Sequence, residues 1–106
     1  MPLTRDFKET IRARAEADAA FRAALLSEAM QALLHGDVAE GKAILRDYVN
    51  ATTGYPALAA QTGIPAKSLM RMLGPDGNPT AKNLFSVIDH LQKSTGIRLA
   101  VNAGAA

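Results

Sequence analysis

From Thr62 to Phe85 the chain reads TGIPAKSLMRMLGPDGNPTAKNLF, and its helix breakers leave room for one very short helix between them. Gly63 and Pro65 precede AKSLMRML, and Gly74 and Pro75 follow it. Proline lacks the backbone N–H and restricts the residue before it, so the helix cannot run through either boundary. About two turns of helix are marginal in water, because the first hydrogen-bonded turn fixes several residues for a single bond. Neighbouring elements must therefore hold such a helix along one side, leaving its other side free to be presented. Everything else in the sequence has to account for that support.

The support reads as helical. Hydrophobic residues make up 48% of the 106 positions but aromatics only 5%, with no Trp, so the apolar content is Ala, Leu, Ile and Met, which favour helix over sheet. Thr4 is placed to cap a first helix with Asp6 in its first turn and Phe7, Ile11 and Ala15 on one face. Asp18 restarts the chain into a longer helix. Phe21, Leu25, Ala29 and Leu33 recur there at i+4 steps, with Leu26, Met30 and Leu34 beside them, a wide stripe expected to face the core. Gly36 suits a helix stop, and Asp37 with Glu40 has capping-box spacing. A third helix carries Gly41, Ile44, Leu45, Tyr48, Val49 and Thr52 on one side and ends at Gly54. Pro56 fits the first turn of a short fourth helix, YPALAAQT. The fifth is AKSLMRML, and GPDGNP is a loop of turn residues. Thr80 caps a sixth helix with Leu84, Val87, Ile88 and Leu91 inward, and Gly96 stops it. IRLAV alternates briefly and is a candidate for a short terminal strand, and NAGAA reads as a frayed tail. The expected fold is all-α, one compact domain of about six helices: an N-terminal helical part over residues 1–36, a core over 37–96, and a strand and tail over 97–106.

Several function classes are disfavoured. The absence of Cys excludes a disulfide framework, a Cys-ligated zinc and a cysteine nucleophile, and it fits a reducing cytoplasm. MPLTRDFKET lacks the basic-then-apolar pattern of a secretory signal, and no apolar run approaches membrane-spanning length, so no membrane partner is expected. His35 and His90 stand apart from any residue at metal-ligand spacing. Asp89 and His90 point to different helix faces, Ser68 and Ser86 carry no nucleophile signature, and GPDGN is a turn with no strand before it. No catalytic residue, metal or cofactor is expected, and the chain does not read as an enzyme.

The residues from Tyr55 to Gly74 have a spacing with a packing logic. Leu58, Ile64, Leu69 and Met72 fill the wedge between two short helices. Ala59 stays small where the second helix crosses close above it, and Gly63 takes a left-handed turn cheaply. This resembles the helix-turn-helix pattern, in which the second helix enters the DNA major groove. GNPTAKNLFSVIDHL resembles the loop and next helix of the Cro/phage-repressor class, where a capped helix N-terminus directs backbone N–H groups at a phosphate. Together with LTRDFKET and AILRDYVNAT, the whole chain resembles the addiction-module antidote proteins, the small HigA-like antitoxins. The specific part of that resemblance covers residues 54–91.

The resemblance implies roles for particular residues. Helix 57–62 would cross the DNA backbone, while Ala66, Lys67, Ser68, Met70 and Arg71 would face the groove. Arg71 would pair with a guanine edge, and Lys67 would read a base or hold a phosphate. Met70, beside Leu69 and Met72, either packs inward or touches a thymine methyl. Asn78, Thr80, Lys82 and Asn83, with Gln61 as a weaker candidate, would clamp phosphates. Counted from Tyr55 as the first position, the eleventh is Pro65, which starts a helix but offers no side-chain donor. With so few base-reading groups, specificity is expected to lean on dimer spacing and DNA shape. The function implied is a sequence-specific regulator, a homodimer on operator DNA. It would also be the antitoxin and autorepressor of a toxin–antitoxin module, silencing a RelE/HigB-like toxin through helices within residues 5–35.

Charge bears on this only through its placement. The net charge is +2, but residues 1–53 hold seven Lys/Arg against eight acids, and residues 54–106 hold five against two. The surplus surrounds the short fifth helix. The alternative is a helical protein-interaction domain that keeps the fold without binding DNA, for which the weak overall charge speaks.

Overall fold

A computed structural model describes residues 5–105, with only the backbone of Arg5. Among these residues there are six α-helices and no strand: α1 (Arg5–Ala17), α2 (Ala19–Leu34), α3 (Val38–Ala51), α4 (Tyr55–Thr62), α5 (Ala66–Met72) and α6 (Ala81–Thr95). The all-α expectation holds, and the helix boundaries follow the local chemistry. The Asp18 carboxylate accepts from the Ala20 and Phe21 amides at 2.9 and 3.2 Å, so α2 begins with only Asp18 between it and the end of α1. Asp37 accepts from the Glu40 amide, and Thr80 Oγ1 accepts from the Asn83 amide, at the starts of α3 and α6. Each cap satisfies amides that the first helical turn leaves without partners. The proposed Thr4 cap lies outside the described residues.

The centre of the molecule is α3. Gly41, Lys42, Ile44, Leu45, Tyr48, Val49 and Ala51 are all buried along its length. Around it, one cluster gathers Leu26 and Ala29 of α2, Tyr55 and Leu58 of α4, Leu69 and Leu73 at α5, and Val87, Ile88 and Leu91 of α6. Burying a side chain of this size stabilises by roughly 1.5–3 kcal/mol, and one continuous cluster ties all five of these elements to that gain. The crossing of α2 on α3 is close: a Cβ on Gly41 would sit 2.6 Å from Leu33 Cγ.

Two expectations are corrected. Leu34 does not join the stripe of α2; it is 68% exposed at the last turn, while only Leu26 and Ala29 of that helix are fully buried. The helix is apolar nearly all round, and α3 together with the cluster covers one side of it. IRLAV forms no strand. Ile97 and Leu99 pack partly on the core, and the Leu99 amide donates to Gln92 Oε1 at 2.9 Å. The alternation is real, but a strand needs a neighbouring backbone to pair with, and the tail instead runs along helix side chains.

Candidate functional site

The turn between α4 and α5 is Gly63–Ile64–Pro65. Gly63 caps α4 with φ +75°, in the left-handed region that glycine enters without the steric cost of a Cβ. The Gly63 amide donates to Ala59 O, and the Thr62 hydroxyl donates to Leu58 O while accepting from the Ile64 amide. Leu58 and Leu69 are fully buried, and Ala59, Ile64, Ala66 and Met72 pack against the same cluster. The spacing read from Tyr55 onward thus corresponds to a packed wedge between two helices.

This packing divides α5 by side. Leu69 and, just past the helix end, Leu73 enter the core. Lys67 and Arg71 are exposed, Met70 is 49% exposed, and Ser68 and Ala66 lie half-buried at the edges. Met70 therefore turns outward more than its neighbours Leu69 and Met72 do. Among the described residues neither the Lys67 nor the Arg71 side chain has a hydrogen-bond or ion-pair partner. Both cations stand on one short, supported helix and are available to a ligand.

The second group of candidates gathers at the start of α6. Asn78, Thr80 and Lys82 are exposed and Asn83 is half-buried; Thr80 Oγ1 is occupied as the acceptor of the cap. Gln61 is not brought to them. It shares a shallow depression with Arg22, Thr53, Ser94 and Thr95 at the far end of α6, and 15 residues of helix span roughly 20 Å. Lys93, at that same end, is bound to Asp89 at 2.9 Å. The Asp89 carboxyl is held below its usual range chiefly by that hydrogen bond.

Sequence reasoning missed the cations behind α5. Lys42 is only 4% exposed, and its Nζ donates to Gly74 O at 2.9 Å and to Gly77 O at 2.6 Å. Arg46, one turn on along α3, donates to Leu73 O. In the sequence both read as ordinary charges of the N-terminal half. One signal was present: Lys42 and Arg46 are four apart, beside the core positions Leu45 and Val49, and neither has an acid three or four residues away. Arg22 plays a comparable part elsewhere, donating to Thr95 O and Ala15 O at the ends of α6 and α1. Among the described residues no group of three His, Asp or Glu side chains is placed to hold a metal ion, and no helix is long and apolar enough to cross a membrane. No protein-family model, curated protein or solved structure matches the chain.

Proposed function

We propose that the chain is a sequence-specific DNA-binding transcriptional regulator that reads the major groove with α5. The observation that carries this reading is the two-sided α5, with Leu69 buried at its centre and the unpaired Lys67 and Arg71 outside. Arg71 is suited to a guanine edge, Lys67 to a base or phosphate, and Met70 to a thymine methyl. Asn78, Lys82 and the capped start of α6 suit phosphates, which fix register without reading sequence. One such module makes few contacts, so a homodimer on a two-fold operator is expected, with half-sites about 34 Å apart.

The finer reading is that of an antitoxin which also represses its own operon. Its support is the resemblance of residues 54–91 together with the uncovered apolar surface of α2, where Leu34 is 68% exposed, and of the α3 start, where Val38 is 48% exposed. Surface of this kind suits a protein partner, and a RelE/HigB-like toxin is the partner the resemblance implies. The same surface favours the second reading, a helical protein-interaction domain without DNA binding.

Fluorescence anisotropy on DNA from upstream of the gene, against a scrambled duplex across a salt series, separates these readings. Preference for the upstream DNA, reduced at least ~tenfold in a folded Lys67→Ala/Arg71→Ala variant, is the expected result. No salt-sensitive binding at low ionic strength would leave the interaction domain as the better reading. Co-purification with the product of a neighbouring gene tests the antitoxin role.

A further inference from the structure

We propose that Lys42 and Arg46 are positioning residues for α5, setting the affinity of its outer surface from behind without contacting DNA. This rests on the DNA-binding reading above. The seven residues of α5 are too few to stand alone, and the last carbonyls of any helix lack intrahelical partners. Here two of those groups are met by the amides that follow the helix, and the carbonyls just beyond it are held from α3. The Leu73 and Gly74 amides close the final turn onto Leu69 O and Arg71 O. Leu73 O takes the Arg46 guanidinium, and Gly74 O takes both the Gly77 amide and the Lys42 ammonium. Gly77 O takes the same ammonium. Two cations from α3 thus hold three carbonyls immediately after α5, where the helix dipole favours positive charge.

The loop cannot move independently of the helix. Gly77 folds back under the end of α5, so closely that a Cβ would overlap the carbonyl oxygens of Arg71 and Met72. Holding residues 73–77 therefore holds the backbone from which the Arg71 side chain departs. Lys42 is buried and cannot reach a phosphate. This gives it a signature different from that of a contact residue. A cation that neutralises a phosphate contributes about one unit to the salt slope of binding, and a cation that only places other groups contributes to affinity and not to slope.

The test uses the full-length chain with Lys42→Met, which keeps the stem of the side chain, and Arg46→Gln, with Lys67→Ala as the contact comparison. DNA binding across a salt series is measured together with amide hydrogen exchange of the free proteins. Lys42→Met, which removes two charge-assisted hydrogen bonds, is expected to weaken binding at least ~tenfold, with an unchanged salt slope. Exchange at Leu73, Gly74 and Gly77 should accelerate while Leu26 and Ala29 in α2 keep their protection. Lys67→Ala should lower the slope by about one and leave exchange alone. A slope lowered by about one in Lys42→Met would place Lys42 at a phosphate and overturn the proposal, as would unchanged affinity with unchanged exchange. Should Lys42→Met fail to fold by circular dichroism, Arg46→Gln, which loses a single carbonyl partner, carries the same comparison. If the wild-type chain binds no DNA, the DNA reading falls by itself, and unchanged exchange in both variants would then refute the hold on α5 separately.

Discussion

Tyr48 shows how much one buried polar group can organise. It is fully buried on α3, yet its hydroxyl donates to Thr95 Oγ1 at 2.7 Å, and the Thr95 hydroxyl in turn donates to Leu91 O. Burial pushes the phenol above its ordinary value of 10.0, against the smaller opposing effects of that hydrogen bond and of Arg22. A phenol that holds its proton more tightly when folded contributes stability that is full below about pH 10 and is lost as pH rises through the folded value. Tyr48→Phe should cost about 1 kcal/mol near neutral pH, measured by urea unfolding. Wild type and variant should then converge above about pH 10; parallel curves would show that Tyr48 is not the group being titrated. Tyr55 shifts in the same direction, also through burial, and accounts for any alkaline loss that survives the substitution.

At the scale of elements, the caps and breakers set where each helix starts and stops, and the close approaches set how the helices sit together. Two glycines separate these effects. Gly77 faces backbone, the Arg71 and Met72 carbonyls, which can yield only by moving the end of α5. Gly41 faces first the Leu33 side chain and, at 3.3 Å, the Ala29 carbonyl oxygen, so the closest atoms there belong to a side chain and not to backbone. Gly77→Ala is therefore expected to destabilise the chain by ~1–3 kcal/mol in chemical denaturation, and Gly41→Ala by less. A larger loss from Gly41→Ala would mean that the α2–α3 crossing is the tighter constraint. The helix boundaries themselves were legible in the sequence, because Asp18, Asp37, Gly63, Thr80 and Gly96 act on the few residues beside them. The hold of α3 on the loop after α5 was not, because Lys42 and Gly77 are 35 positions apart and each looks ordinary in its own neighbourhood.

For the whole molecule, the tail is the part whose role depends most on context. Ile97 and Leu99 cover the core where the Ile97 amide donates to Gln92 O and the Leu99 amide to Gln92 Oε1. Cutting the chain after Gly96 should lower the melting temperature through loss of roughly 1–3 kcal/mol of apolar burial. Sedimentation of the same truncated chain reports on assembly. If a dimer depends on IRLAV pairing between copies, it is lost with the tail, and a truncated chain that still dimerises removes that pairing. Amphipathic period, caps and breakers were enough to indicate a helical chain, the limits of α5 to within a residue and the inward place of Leu69, since these are interactions among residues a few positions apart. Met70 was left open, and Ala66, expected at the groove, packs against the core. Only the tertiary structure decided that Leu34 stays in solvent, that IRLAV finds no strand partner within the chain, that Gln61 lies away from the α6 start, and that Lys42 and Arg46 serve carbonyls behind α5. Each of those outcomes depends on which distant surface arrives at a given residue, and a local pattern carries no record of that.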